Sequence, residues 1–352
     1  MLESPLDFPQ VWQKPAFPLL LATLRRLRVD PPVWNLKASR NDILKHQETT
    51  VEDPREIAAY LSTIIKSPLG WLDDDDRETI WDEASKRFSE RCGRSAMGEI
   101  TRRWPFEGDA DDPFDLILRE PALTGDNLGL KTWGSSYVLA QMLYTIGETS
   151  LAHLFGKGVS QPRPAVLEMG SGTGLLGLAA AAIWRTRVIL SDLPEIVPNL
   201  AHNVEKNLQT VQGRGGSLAS GALTWGGDGD EIDPVLFTEK NSFNAGVGLA
   251  VIVADPLYDD HHPGLLAGAI DDQLSLDANA RVVIMVPQRD AVTVNLLSKL
   301  RQELASKTTS FVCLEETIVP GRDDWGANED EEAGHVKCWL GIFARQNVVN
   351  KI

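Results

Sequence analysis

The chain has 352 residues, 43% of them hydrophobic, and its 50 acidic residues against 34 Lys and Arg give a net charge of −16. The apolar fraction excludes a wholly disordered chain and is enough for the core of one large domain or two. The negative charge disfavours nucleic acid as a direct partner, because an acidic surface repels the phosphate backbone.

Targeting and redox signals are weak. The N-terminal segment lacks a basic stretch leading into an apolar one, so no signal peptide is predicted. No apolar run approaches the roughly 18 residues of a membrane span, so no membrane partner is expected. Cys92, Cys313 and Cys338 are widely spaced, which indicates neither a disulfide framework nor a zinc site. A reducing, cytoplasmic setting is the expectation.

The first part of the chain, residues 1–112, is predicted to be an all-helical accessory region. Apolar residues recur at three- and four-residue intervals in PREIAAYLSTIIKS and in RETIWDEASKRFSERCGRSAMGEITRRW. The acid-rich segment at 107–115, with Pro113 after Asp112, indicates a linker. A second domain is therefore expected at 113–352.

In this second part, short apolar strands alternate with helical segments, which predicts a doubly wound α/β sheet. The predicted strands AVLE, RVILSD, LAVIVAD and RVVIMVP are almost continuously apolar, as expected for parallel strands buried on both faces. The segment TVNLLSKLRQELAS has the pattern of an amphipathic helix. No helix fits between the last two strands, FVCLEETIV and HVKCWLGIFAR, so they should form an antiparallel hairpin.

The clearest signal of function is the segment VLEMGSGTGLLGLAAAAIW. Gly170, Gly172 and Gly174 alternate between a strand that ends at Glu168 and an Ala/Leu-rich helix. Glycines permit a tight turn and let a ligand approach the backbone. The next strand ends in Asp192, whose carboxylate is placed to accept bonds from ribose hydroxyls. The pattern therefore predicts a ribose-containing ligand.

Two ligands fit this turn to different degrees. Gly172 to Gly177 satisfies the GxGxxG pattern of a dinucleotide site, so a nicotinamide cofactor is one alternative. A dinucleotide turn should begin directly after the strand, however, and the Glu168 carboxylate would repel a pyrophosphate. S-adenosylmethionine, which carries an ammonium group and a ribose, suits a carboxylate at this place better.

Together the glycine turn and Asp192 resemble the seven-strand class I S-adenosylmethionine-dependent methyltransferases. Three further segments, GLKTWGSSYVLAQML, ALTWGG and ADPLY, resemble segments of the family-16 lysine methyltransferases. The resemblance covers roughly residues 115–345. The helical N-terminal extension and Pro256 further resemble the fungal branch that methylates translation elongation factor 2.

The resemblance implies a seven-stranded, mostly parallel sheet and S-adenosyl-L-methionine as cofactor. Trp133 should contact the cofactor, Asp192 should hold its ribose, and Trp225 should lie beside its adenine. Without the glycine turn, core packing would be the better explanation of the two tryptophans, and a helix N-cap is the alternative for Asp192. The full predicted cofactor set is Trp133, Glu168, Gly170, Ser171, Gly172, Gly174, Asp192, Leu193, Trp225 and Ala254.

The predicted catalytic residues are Asp255 and Tyr258, which follow a buried strand. Asp255 can orient an incoming amine, and Tyr258 can offer its ring face or its hydroxyl. A turn-forming role before Pro256 is the alternative for Asp255. Pro256 also resembles the Asp-Pro-Pro-Tyr of enzymes that methylate planar nitrogens of glutamine or adenine, but Leu257 replaces the second proline. A protein lysine is therefore the expected acceptor, on an elongation factor as partner.

Some charged segments indicate a function less specifically. The acidic loop at 321–334 is a candidate docking site for a basic protein, and the aspartates at 73–76 are a weaker one. His261 and His262 are adjacent and lack a carboxylate motif, so no metal site is predicted. A non-catalytic module that keeps its cofactor only for stability is the remaining alternative to an enzyme.

Overall fold

The computed structural model describes residues 5–28, 54–91, 99–107, 112–122, 128–237, 248–322 and 335–346. These residues fall into two compact units, a smaller one in the first 102 residues and a larger one that holds most of the chain from residue 103 onward. The acidic side chains of the predicted docking loop lie outside the described residues, as does Cys92. They are Asp323, Asp324, Glu329, Asp330, Glu331 and Glu332.

The smaller unit is helical, as its apolar spacing predicts. Its described α-helices are α1 (Phe17–Arg26), α2 (Pro54–Lys66) and α3 (Asp74–Ser89), with 3-10 turns at Pro5–Asp7 and Val11–Gln13. One apolar side of each helix is buried in a common core, which includes Leu20, Leu24, Leu61, Ile64, Ile80 and Ala84. Burial of one apolar stripe per helix is what stabilises short helices in water.

The aspartate run at 73–76 has a local structural role. The Asp73 carboxylate accepts a 2.8 Å hydrogen bond from the backbone N–H of Asp76 and so caps α3. The following three aspartates occupy the first turn, where negative charge interacts favourably with the helix dipole. Helix initiation therefore accounts for this run without a docking partner.

The helical pattern predicted through Trp104 is wrong at its end. Helix α3 stops at Ser89, and Ile100–Phe106 forms strand β1, which pairs with β2 (Phe114–Glu120) in a two-stranded sheet. Alternate burial along β2 shows the two-residue period of a strand. The predicted linker at 107–115 thus falls between two paired strands.

The larger unit contains a seven-stranded sheet in the order β5-β4-β3-β6-β7-β9-β8. The strands from β3 to β7 pair in parallel, and β9 runs antiparallel to both β7 and β8. The predicted fold class is therefore confirmed. The strands are β3 (Ala165–Met169), β4 (Arg187–Asp192), β5 (Ser217–Ala222), β6 (Gly248–Ala254), β7 (Arg281–Gln288), β8 (Phe311–Arg322) and β9 (His335–Arg345).

Local sequence does not predict strand β5 of this sheet. Its residues, SLASGA, are mostly small and only partly buried, because β5 is an edge strand that pairs with β4 alone. The remaining described helices are α4 (Gly134–Glu148), α5 (Ala152–Phe155), α6 (Leu175–Trp184), α7 (Val197–Gly213), α8 (His262–Gln273) and α9 (Ala291–Ser306). Among the described residues, no helix is both long and apolar enough to cross a bilayer.

Strand order places the site. The chain proceeds from β3 to β4 and β5 on one side, then returns to place β6 and β7 on the other side. In open parallel sheets, ligands bind beyond the carboxyl ends of the strands at such a reversal. The glycine turn follows β3 and Asp255 follows β6, so both lie at this point.

An asparagine ladder holds β2 against α7. Asn207 exchanges two 2.8 Å hydrogen bonds with the backbone of Ile117, and Asn203 pairs in the same way with the backbone of Arg119. Asn203 also donates a 3.0 Å hydrogen bond to the carbonyl of Thr173, in the glycine turn. Side-chain amides thus satisfy strand groups that would otherwise lack partners, and they fix the position of the turn.

Candidate active site

A cavity of about 390 Å³ opens at the carboxyl ends of β3, β4 and β6. Eleven of the twelve residues predicted to act in binding or catalysis line it, and the exception is Gly174. Those in the lining are Trp133, Glu168, Gly170, Ser171, Gly172, Asp192, Leu193, Trp225, Ala254, Asp255 and Tyr258.

At each glycine of the turn, a side chain would be strained or crowded. Gly170 and Gly172 have φ values of +67° and +56°, a conformation that disfavours other residues. A Cβ on Gly170 would lie 3.3 Å from the Trp225 ring, and one on Gly172 would lie 3.1 Å from the carbonyl oxygen of Gly129. Gly174 also has a positive φ, of +91°, and is the N-cap of α6, where a Cβ would meet Leu200 at 2.8 Å. Its role visible in the structure is close packing of the helices.

Glu168 is buried beneath the turn, with 3% of its surface exposed. The pKa of Glu168 is raised to about 8, mainly by burial and also by the charge of Asp192, while contacts with Ser171 and the Gly177 backbone oppose the rise. Among the described residues, its Oε2 atom has no hydrogen-bond partner of ordinary geometry. A buried carboxyl oxygen without a partner is costly, so a ligand donor such as an ammonium would stabilise it.

Asp192 ends β4 and faces the turn across the cavity. Its Oδ2 accepts a 2.6 Å hydrogen bond from the backbone N–H of Gly172, and its Oδ1 accepts one of 2.7 Å from that of Leu193. Burial raises the pKa of Asp192 to about 6, although these two bonds oppose the rise. Each carboxylate oxygen retains a lone pair for a further donor, as a ribose diol would supply.

The predicted adenine side of the cavity is formed by Trp225 and its neighbours. The Trp225 ring lies close to Gly170 and is 6.1 Å from the His262 ring, centroid to centroid. Leu193 is 41% exposed and presents an apolar side chain at the cavity edge. These surfaces suit a flat aromatic group, and the contact of Trp225 with adenine stays a prediction.

Asp255, which is predicted to orient an incoming amine, lines the cavity with its carboxylate bound by other residues of the chain. Its φ of +56° turns the chain sharply after β6, and its backbone N–H bonds the Met285 carbonyl at 2.9 Å. The buried carboxylate is held by Arg289, whose Nη1 donates to Oδ1 at 2.8 Å and whose Nη2 pairs with Oδ2. Ser135 adds a 3.2 Å bond to Oδ2. Asp255 is therefore one half of an ion pair.

The mouth of the cavity is aromatic and cationic. The rings of Trp133 and Tyr258 lie 5.8 Å apart, and the Arg289 guanidinium lies 5.0 Å from the first centroid and 6.0 Å from the second. The ammonium of Lys131 lies 4.5 Å from the Trp133 centroid. Ring faces attract cations at these distances, and the Arg289 and Lys131 groups occupy such positions here.

No sequence motif marks Arg289 as a site residue, although its position at the end of a predicted strand is a signal for it. Arg289 directly follows β7, and the carboxyl ends of parallel strands meet at one edge of a sheet. Thr132 and Thr173, whose hydroxyls lie 2.7 Å apart, also line the cavity without a recognisable motif.

His262 lines the cavity as well. Its Nδ1 accepts a 3.1 Å bond from the backbone N–H of Tyr258, and its Nε2 lies 3.2 Å from Oδ2 of Asp259. Both ring nitrogens are thus engaged in local structure. In the part of the chain that the model describes, no cluster of His, Cys, Asp or Glu has the arrangement of a metal site.

The residues present fit S-adenosyl-L-methionine. Glu168 offers a buried oxygen for the ammonium, Asp192 offers free lone pairs for the ribose, and Trp225 offers an aromatic wall for the adenine. The missing Cβ atoms of Gly170 and Gly172 let Trp225 and the Gly129 carbonyl pack against the backbone of the turn. The individual contacts remain predictions.

Comparison with known proteins gives a consistent answer. A family model described as lysine methyltransferase matches residues 111–303, more than half of the chain. The protein-lysine N-methyltransferase EFM2 of Saccharomyces cerevisiae is 32% identical over 267 residues, which cover 73% of this chain and 58% of that protein. This chain therefore spans less than two thirds of the length of the yeast relative.

Two further similarities extend the comparison. The protein-lysine N-methyltransferase rrg1 of Schizosaccharomyces pombe is 26% identical over 278 residues, which cover 79% of this chain and 80% of that protein. A solved S-adenosylmethionine-dependent methyltransferase from Methanosarcina mazei is 12% identical, with a TM-score of 0.38 over 55% of this chain and 96% of that chain. The chain belongs to the lysine methyltransferase family, and its cofactor is S-adenosyl-L-methionine.

Proposed function

We propose that this chain is a protein-lysine N-methyltransferase that methylates translation elongation factor 2. The observation that carries the proposal is the pair of rings, Trp133 and Tyr258, at the mouth of the cavity beside the buried Asp255. Such a mouth accepts a long side chain that ends in a cation. The membership in the lysine methyltransferase family supports the same acceptor.

The reaction needs an uncharged amine. S-adenosyl-L-methionine supplies an activated methyl group on a sulfonium, which a lone pair on nitrogen attacks in line. With a reference pKa near 10.4, roughly one lysine in 2,500 is neutral at pH 7, which costs about 4.6 kcal/mol. Transfer to an aromatic, partly dehydrated site lowers the amine pKa and reduces this cost.

The residues of this chain mainly provide alignment. Trp133 and Tyr258 together form an aromatic wall along which the acceptor side chain lies, and Asp192 and the glycine turn fix the methyl donor behind it. Holding two reactants in line accelerates their reaction through orientation alone. Water removes the proton that the amine loses.

Elongation factor 2 is proposed as substrate from the resemblance of two features to the fungal branch of the family. These are the helical region before the catalytic domain and the proline inside the Asp-x-x-Tyr segment, Pro256. The two fungal relatives named above are protein-lysine N-methyltransferases, which supports a protein substrate in general.

The test is methyl transfer from labelled S-adenosyl-L-methionine to purified elongation factor 2, with the modified residue located by mass spectrometry. A methylated lysine that appears with the wild type and not with Asp192→Ala supports the proposal. Asp277→Asn, an exposed turn residue outside the cavity, serves as the matched control and should retain activity.

Three results would contradict the proposal. A methyl group on glutamine in a cell extract would favour the planar-nitrogen alternative, as would one on adenine. Calorimetric binding of the cofactor without any methylated product would favour a non-catalytic module. Methylation of a lysine on another protein, with elongation factor 2 unmodified, would overturn the proposed substrate alone.

A further inference from the structure

Asp255 and Arg289 form a charge-neutral pair at the place where the acceptor amine is proposed to bind. The Asp255 side chain is 3% exposed and that of Arg289 is 23% exposed. Both carboxylate oxygens receive guanidinium donors, and the guanidinium also faces the rings of Trp133 and Tyr258. The carboxylate, the guanidinium and the two rings thus surround one small volume.

The other charged groups near this volume belong to several elements. Lys131 lies over the Trp133 ring, and Asp259 and His262 form a pair that follows β6. Asp290, next to Arg289, is turned toward α9, where it accepts bonds of 2.7 and 2.9 Å from Thr293. Glu168 and Asp192 line the cofactor part of the same cavity. None of these groups has the two-point contact that Arg289 makes with Asp255.

A carboxylate without a partner would work against catalysis here. An opposite charge within about 4–6 Å stabilises the charged form of a group, so a lone Asp255 would hold a lysine as the unreactive ammonium. A guanidinium cancels that charge, and it keeps its own proton at any physiological pH. With Arg289 in place, the site attracts a cationic side chain through its rings without fixing the proton on the amine.

We propose that Arg289 is a positioning residue that neutralises Asp255 and thereby keeps the acceptor lysine amine deprotonatable near neutral pH. The inference rests on the proposed lysine methyltransferase function and adds to it a residue that sets the pH range of the reaction. No bond forms or breaks at Arg289. Its action passes through the charge of Asp255.

The test is the pH dependence of kcat with a lysine-containing substrate, for three variants. Arg289→Gln leaves the negative charge of Asp255 without its guanidinium partner, so the acidic limb of the kcat–pH profile should move up by about one pH unit. The kcat at pH 7 should then fall about tenfold more than the kcat at pH 10. Asp255→Asn leaves the cation unbalanced, so the limb should move down. The double variant Asp255→Asn/Arg289→Gln should have its limb within about 0.3 units of the wild type.

Arg289→Lys is the conservative variant. It keeps a positive charge but loses the planar two-point contact, so we expect a lower kcat with an unchanged limb. Circular dichroism and calorimetric binding of S-adenosyl-L-methionine establish that each variant is folded. If Arg289→Gln does not fold, the downward shift in Asp255→Asn and its reversal in the double variant still decide the question.

Two outcomes overturn the inference. If all folded variants lose activity by the same factor at every pH, the ion pair is only structural and the role of Arg289 is wrong, while the proposed function stands. If the wild type transfers no methyl group to lysine, the proposed function fails and this role fails with it.

Discussion

The backbone N–H of Gly172 donates a 2.6 Å hydrogen bond to Oδ2 of Asp192, which joins the turn after β3 to the carboxyl end of β4. The positive φ of Gly172 aims its N–H at the carboxylate. One carboxylate therefore orders the turn and remains available to a ribose. The cofactor part of the site depends on this contact between neighbouring strands.

Replacing Asp192 with Asn should weaken cofactor binding. The amide retains one acceptor oxygen, so it cannot receive both the Gly172 and the Leu193 N–H groups, and it loses the charge that strengthens each bond. Hydrogen bonds to charged groups contribute about 1.5–3 kcal/mol, so the Kd for S-adenosyl-L-methionine should rise roughly 10- to 100-fold by calorimetry.

The matched control for this prediction is Asp277→Asn. Asp277 is also an aspartate that accepts a backbone N–H, but it is exposed and lies outside the cavity. Its Kd should stay within about twofold of the wild type. Equal Kd values for Asp192→Asn and the wild type would contradict the assignment of Asp192 to the cofactor site.

The raised pKa of Glu168 predicts a pH-dependent stability. The folded state holds the Glu168 proton up to a pKa of about 8, whereas the unfolded chain releases it near the ordinary value of 4.5. Between these values the folded state binds more protons, so this group makes the protein less stable as pH rises. Glu168→Gln removes the titration and should therefore raise Tm by an amount that grows from pH 5 to pH 8.

Thermal unfolding without cofactor measures this effect, and a gain of about 4 °C or more at pH 8 is expected. Glu205→Gln, on the exposed side of α7, is the control and should show no such trend. The Glu168 variant should also bind the cofactor more weakly, because an amide attracts an ammonium less than a carboxylate does. A Tm difference that is constant with pH would show that the Glu168 carboxyl titrates normally.

Asn203 should contribute more to the stability of the fold than Asn199, which lies one turn earlier on α7. Asn203→Leu removes the bonds to the N–H and the carbonyl of Arg119 and to the carbonyl of Thr173, although the Arg119 carbonyl keeps its bond from Asn199. The free energy of unfolding should fall by about 3 kcal/mol in a denaturant titration. Asn199→Leu removes a single 3.3 Å bond and should cost about 1 kcal/mol. Equal losses would mean that the contact with the glycine turn contributes little.

Tyr258 offers a test of whether the ring or the hydroxyl acts on the acceptor. Its ring lies 5.8 Å from that of Trp133, so a role in confining the lysine side chain needs only the ring. Tyr258→Phe should then keep kcat/KM within about threefold, whereas Tyr258→Ala should lower it about 3- to 30-fold. A loss in Tyr258→Phe as large as that in Tyr258→Ala would assign the work to the hydroxyl.

Most of the fold follows from local sequence. The continuously apolar segments that became β3, β4, β6 and β7 can be recognised because strands buried on both faces leave no polar alternation. The C-terminal hairpin follows from the absence of a helical segment between its strands. Strand β5 and strand β1 escape the pattern, since small or mixed side chains at sheet edges have no distinctive periodicity.

The residues of the site likewise fall into those that the sequence indicates and those that only the tertiary structure brings together. The sequence alone determined the glycine turn, the acids that end β3 and β4, and the segment from Ala254 to Tyr258, because each is a short run whose geometry is local. The tertiary structure decided that Arg289, 34 residues after Asp255, pairs with it. It also decided that Asn203 reaches Arg119 across 84 residues. Such contacts depend on which strands and helices become neighbours, and burial of the whole core sets that order.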